Sequence, residues 1–197
     1  FLVKSITCST NYGPCPQLVL EKLQQFNQIP IYRLDQTKIA SELPYPLLEF
    51  RPNFPSSVFV KIDLPKPIVI LKSNSTSLLV SSTGRILGSA SGQNLPEVLA
   101  PQGFEAKVGQ FITDFTLFQA IGLAEALSLV GFTSPQVTIS GNDLLIQKIS
   151  SAQIITTPDK DPKTVATTLQ QLLSKTTINQ QPPVKIDLRF SQPIVTY

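Results

Sequence analysis

Seventeen prolines punctuate this 197-residue sequence. Proline fixes φ near about −65° and lacks a backbone N–H, so it ends helices and is kept out of central strands. The elements between the prolines are therefore short and joined by defined turns. Two periodicities fill the intervals. Val58, Val60, Ile62 and Leu64 alternate with Phe59, Lys61 and Asp63, the pattern of a half-buried strand. Val184, Ile186, Leu188 and Phe190 alternate in the same way with Lys185, Asp187 and Arg189. Helical spacing is found in Val19, Leu23 and Phe26 behind Pro16, and in Ile39 and Leu43 behind Asp35, a candidate N-cap. It returns at 115–130, with Phe118, Ile121 and Leu127, and in Val165, Leu169 and Leu172 behind Asp161-Pro162.

These elements fall into two groups. A strand at 2–8, two helices, the strand at 58–64 and an extended run at 68–71 give the order strand, helix, helix, strand, strand. Two helices on one face of a three-stranded sheet is its simplest packing. Beyond residue 72 a hairpin turns at Thr83-Gly84, and 88–109 reads mostly as loop. A helix, a hairpin turned by Ser140-Gly141-Asn142-Asp143, a strand at 152–156, a helix and a final strand follow. The expected class is α+β, with a first domain at 1–71 and a mixed, mainly antiparallel β domain carrying two helices at 72–197.

The composition narrows the function. A net charge of +3 from scattered lysines offers no basic stripe, so no nucleic-acid partner is expected. Histidine is absent, which removes Ser-His-Asp and Cys-His catalysis and most zinc sites. Asp159 and Asp161 precede a helix and read as caps. Gly88-Ser-Ala-Ser-Gly92 lacks the strand-to-helix context of a nucleophile elbow, and no phosphate-binding glycine loop is present. The expectation is a binding protein without catalytic residues, cofactor or metal. Cys8 and Cys15 either close a structural disulfide or stand as two thiols; their spacing is wider than a redox Cys-x-x-Cys. A disulfide would fit an oxidising compartment. No run of apolar residues is long enough to span a bilayer, and the chain starts at Phe1 without a methionine, so any membrane anchor is expected before that residue.

The order of elements in 1–71 resembles a POTRA domain, and finer motifs resemble the FtsQ/DivIB family of bacterial cell-division proteins. Tyr32-Arg33-Leu34-Asp35 is similar to the family's approach to its second helix, and Pro44, Arg51 or Asn53, and Phe54-Pro55 to its proline, basic and aromatic-Pro pattern. Pro67-Ile68-Val69 falls where the family has Glu-Arg-x-Pro-x-Ala, with Leu64-Pro65 replacing Glu-Arg. Leu78 to Val80 with Gly84-Arg85-Ile86-Leu87 resembles the hairpin that opens its β domain, with serine where aspartate is usual. Leu95-Pro96 resembles the Leu-Pro after it. Lys185-Ile186-Asp187-Leu188-Arg189-Phe190 resembles the family's Ile-Asp-Leu-Arg-Tyr.

The resemblance implies a non-enzymatic divisome scaffold on the extracytoplasmic side of the cell membrane, anchored by a single span. Its implied partners are FtsB/DivIC-like and FtsL-like single-pass proteins, the former adding a strand to the C-terminal edge. Arg189, Phe190, Ile194, Val195 and Tyr197 would form that edge. Asp187 and Arg189 equally fit a solvated, cross-strand-paired face, and Ile194, Val195 and Tyr197 a paired core. Two other readings stand beside this one. Another POTRA-type envelope or transport-assembly protein would carry repeated units or a barrel. An envelope hydrolase or glycan-binding protein would need a polar cleft with two close carboxylates.

Overall fold

The computed structural model describes residues 1–73, 76–90, 92–105, 107–178 and 182–197. The chain divides into two compact units, Phe1–Lys66 and Pro67–Tyr197.

In the first unit β1 (Ser5–Thr10) turns into the two-residue β2 (Gly13–Pro14). Then come α1 (Gln17–Gln24), a 3-10 turn (Ile31–Arg33), α2 (Gln36–Glu42), β3 (Leu47–Asn53) and β4 (Ser57–Ile62). The sheet order is β2-β1-β4-β3, with β1 parallel to β4 and β3 antiparallel to it. Val58, Val60 and Ile62 of β4 are fully buried, as are Val19 and Leu23 of α1 and Ile39 of α2. The alternation of one strand and the stripes of two helices thus meet in one core. Asp35 caps α2, accepting from the Thr37 N–H at 2.9 Å. Cys8 and Cys15 are joined by a disulfide that ties β1 to the chain just before α1. The unit is POTRA-like, β-α-α-β-β with the small β2 appended.

Its third major strand is not the expected one. The run at 68–71 belongs to the second unit, and the place is taken by β3, a stretch with no strand pattern of its own. Pro52 lies within β3 and its pairing slips between Leu47 and Glu49, so neither alternation nor propensity marks it. Only β4 pairs with it, and an edge strand tolerates a proline. The division accordingly falls at Lys66/Pro67, before the run at 68–71 rather than after it.

The second unit contains β5 (Pro67–Ser73), β6 (Thr76–Ser81), β7 (Ile86–Ser89), β8 (Glu97–Leu99), α3 (Phe115–Leu129), β9 (Gln136–Ser140) and β10 (Asp143–Gln147). It ends with β11 (Gln153–Thr156), α4 (Pro162–Ile178), β12 (Lys185–Asp187) and β13 (Ile194–Thr196). One sheet has the order β13-β12-β11-β10-β9-β8-β5-β6-β7. Most pairings are antiparallel; β5–β8, β8–β9 and β11–β12 are parallel. A parallel step requires a crossover, and α3 and α4 supply the ones from β8 to β9 and from β11 to β12. Both steps run the same way across the sheet between strands of one direction. Equal handedness therefore puts both helices on one face.

There Leu117, Ala120, Ile121, Leu123, Ala124 and Leu127 of α3, with Val165, Ala166 and Leu169 of α4, close over Val69, Leu71, Val80, Val98, Val137, Leu144, Ile146, Ile154 and Ile186. Asp114 and Asp161 cap the two helices, accepting from Leu117 N at 2.7 Å and Thr164 N at 2.8 Å. Phe118, expected on the apolar face of α3, is partly exposed beside Gly84. The segment 88–109, expected to be mostly loop, contains β8. Three residues bounded by Pro96 and Pro101 are too few to show alternation, yet β8 joins the two halves of the sheet.

Candidate functional site

The last strand of the sequence is also the outermost strand at one side of the nine-stranded sheet. β13 pairs antiparallel with β12: Lys185 with Thr196, Ile186 with Val195, and Asp187 with Ile194. Which backbone groups remain free follows from the ladder on the other side of β12. The Val184 carbonyl accepts from Gln153 N and the Leu188 N–H donates to the Ile155 carbonyl, so these positions face β11. Lys185 and Asp187 then turn their polar groups toward β13, and Ile194 and Thr196 turn theirs inward to meet them. The Val184 N–H, donated to the Thr196 carbonyl at 2.8 Å, marks that inward direction. By alternation the N–H and C=O of Val195 point outward, with those of Tyr197 beyond. Side chains at this rim are open: Ile194 is 51% exposed and Tyr197 61%.

The opposite edge is managed differently. Ile86 of β7 donates to the Gln110 carbonyl and accepts from Gly109 N, and Arg85 bridges Phe111. A loop thus occupies the edge positions of β7, whereas among the described residues no segment pairs with the outer side of β13.

Arg189 follows β12 and acts as a clamp. Its Nε and Nη2 donate to the two carboxylate oxygens of Asp187 at 3.0 and 2.7 Å, and its backbone N–H donates to the same carboxylate. Nη1 reaches Asp143 of β10 at 3.0 Å, so the guanidinium spans the end of β11. The paired hydrogen bonds from Arg189 hold the Asp187 carboxyl below the usual carboxylate range although burial opposes this. In turn they push the Arg189 guanidinium up. A carboxyl so stabilised as an anion is the reverse of a general acid. Asp143 and Asp187 both bond the Arg189 guanidinium, which lies between them and offsets one of their two negative charges. Among the described residues no group of three or more His, Cys, Asp or Glu is placed to hold a metal ion.

Behind the edge a groove of 240 Å³ runs between the start of α4 and the β12–β13 turn. It is lined by Lys160, Thr164, Leu188, Phe190 and Pro193 among others. Lys160 Nζ donates to the Phe190 carbonyl, holding the turn against the helix. Arg189, Phe190, Ile194, Val195 and Tyr197 therefore lie on one margin of the second unit. Arg189 serves as a brace there, while Val195 supplies the free backbone groups. Asp143 and Lys160 also belong to the arrangement and were not legible in sequence. They come from distant segments, and the turn motif that ends at Asp143 says nothing of its link to Arg189.

A further charged group joins β8 to its neighbour β5. Glu97 is bridged by Lys72 and Lys148, each at 2.6 Å. Burial alone would raise its carboxyl, but the two lysine hydrogen bonds outweigh it and the group stays below its ordinary range.

No protein-family model and no curated protein matches this sequence. The two-part α+β fold with its POTRA-like first unit is that of a protein-interaction scaffold. No helix among the described residues is long and apolar enough to cross a membrane.

Proposed function

We propose that this chain is the extracytoplasmic part of a divisome scaffold of the FtsQ/DivIB type, held at the cell membrane by a single span preceding residue 1. It binds an FtsB/DivIC-like single-pass protein by taking up a strand from it on the outer side of β13, and an FtsL-like protein within the same assembly. The observation that carries this reading is the unpaired edge of β13, with the N–H and C=O of Val195 directed outward beside exposed Ile194 and Tyr197. Strand addition needs such an edge and takes its affinity from main-chain hydrogen bonds. The Asp143–Arg189–Asp187 clamp stiffens the platform, and the groove along α4 offers room for side chains of an added strand.

The test is site-specific photocrosslinking in bacterial cells from Ile194, Val195 and Tyr197, with Gln136 on β9 as an interior control. Capture of a small single-pass protein with a coiled-coil stem from the three edge positions supports the reading. A folded, abundant protein that crosslinks to nothing there would sink it.

A further inference from the structure

We infer that one end of the first unit is a docking surface for an anionic lipid bilayer. Apart from the terminal Phe1, the two most exposed aromatic residues among those described are Tyr32 at 72% and Phe54 at 71%, and backbone hydrogen bonds bring their segments together. The Phe1 carbonyl accepts from Ile31 N, placing Phe1 beside Tyr32, while Leu2 bridges Pro30. Lys4 N donates to the Ser56 carbonyl at 2.7 Å, bringing the turn that carries Phe54 to the same end. Leu2 is exposed as well. Tyr32 is carried on the 3-10 turn and Phe54 on the turn between β3 and β4.

The charge at this end leans positive, with the exposed Lys4 and Arg33 set against one exposed carboxylate, that of Asp35. Arg33 lies over the Tyr32 ring at 5.9 Å, and Lys4 is exposed next to the bridge; among the described residues neither forms an ion pair. The nearest carboxylate in sequence, Asp35, is committed to its helix cap by hydrogen bonds from Thr37 N and Oγ1 at 2.9 and 2.6 Å. Glu49 and Arg51 neutralise each other. Exposed aromatic and aliphatic side chains accompanied by an excess of exposed cations match the headgroup region of an anionic membrane. There rings sit at the level of the glycerol backbone and lysine or arginine meets lipid phosphate. A protein groove-binder would instead want a concave site.

The sequence contains no tryptophan, which makes a clean probe available. Phe54→Trp and, as a control on an exposed phenylalanine of the second unit, Phe111→Trp are each mixed with vesicles of phosphatidylcholine, with or without phosphatidylglycerol. The expected result is a blue shift of Phe54→Trp emission and quenching by brominated acyl chains, confined to anionic vesicles. Phe111→Trp should remain unchanged. Adding Lys4→Gln and Arg33→Gln to Phe54→Trp should weaken partitioning about thirtyfold, from about 1 kcal/mol per basic residue at an anionic surface. Retention of the far-ultraviolet circular dichroism of the parent verifies folding. The inference is overturned if Phe54→Trp does not respond to anionic vesicles, if Phe111→Trp responds equally, or if the two glutamines leave partitioning unchanged. Capture of a protein from this end, without any response to vesicles, would likewise reject it. The inference does not depend on the β13 edge, which lies in the other unit.

Discussion

Two proline substitutions one residue apart should separate the inner and outer sides of β13. Val195→Pro removes an N–H that points away from the sheet, while Thr196→Pro removes one that faces β12. Proline is tolerated in an edge strand where its missing donor faces outward, so Val195→Pro should leave the β12–β13 ladder within about 0.5 kcal/mol of the parent. Thr196→Pro loses a ladder hydrogen bond, about 1 kcal/mol, and should open β12 about fivefold more often. Amide hydrogen exchange at Lys185 to Asp187 reads this locally, where global unfolding would miss an edge strand. Partner capture should show a different pattern. Val195→Pro leaves an acceptor of the incoming strand unpaired, which costs about 1–3 kcal/mol and weakens binding about five- to 150-fold. Crosslinking from a probe at Ile194 should therefore collapse in Val195→Pro although its β12 exchanges at the parental rate. Undiminished capture by that variant would refute strand addition. Equal exchange in the two variants would refute the assigned alternation.

Acid titration offers a second check. The folded Asp187 carboxyl is depressed, so its stabilising contribution is present above the unfolded pKa of about 3.9 and is lost as pH falls through the lower folded value. Arg189→Gln should move the Asp187 midpoint upward in carbon-detected NMR, and its stability deficit against the parent should shrink toward low pH. Reducing the Cys8–Cys15 bond, whose partners are seven residues apart, should cost the first unit about 2 kcal/mol from loop closure, measured by urea unfolding with and without reductant. Gly84 has φ +75°, and a Cβ there would lie 3.1 Å from the Phe118 ring. Gly84→Ala should lower the stability of the second unit by about 1–2 kcal/mol in the same assay.

What the sequence revealed and what it concealed follow from the range of the interactions. The stripe of α1, the caps of α2 and α4, and the alternation of β4 are set by neighbours within a few residues, and each was legible. The pairing of Asp187 with Arg189 is local too, since i and i+2 share a strand face. The link from Arg189 to Asp143 spans 46 residues and depends on β10 and β12 flanking β11. Nothing near either residue encodes that. The run at 68–71 shows the same limit. Its residues say strand, but both faces of β5 are largely buried, as suits a central strand of the larger sheet rather than a last strand of the smaller one. β3 and β8 were hidden for the opposite reason: proline, a register slip and shortness erased a local signal that pairing with neighbours makes unnecessary.

The open edge at β13 is a consequence of connectivity as much as of sequence. Both helical crossovers progress in one direction across the sheet, so α3 and α4 share a face and neither can cap an edge. Each edge must then be closed by something else. At β7 the chain supplies the 109–112 loop, whose backbone bonds occupy Ile86 and Gly84. At β13 the strand is only three residues long and begins just after Pro193. A short edge entered through a proline is a poor template for pairing with another copy of itself, because few hydrogen bonds are available to align two such strands. A partner that adds contacts beyond the strand escapes that limit. The α4 groove lies on the same margin and is lined by Leu188, Phe190 and Pro193, so an incoming chain could bury side chains there while its backbone pairs with Val195. Under the proposed strand addition, short edge and adjacent groove together would disfavour self-pairing and suit a different protein whose sequence fills both.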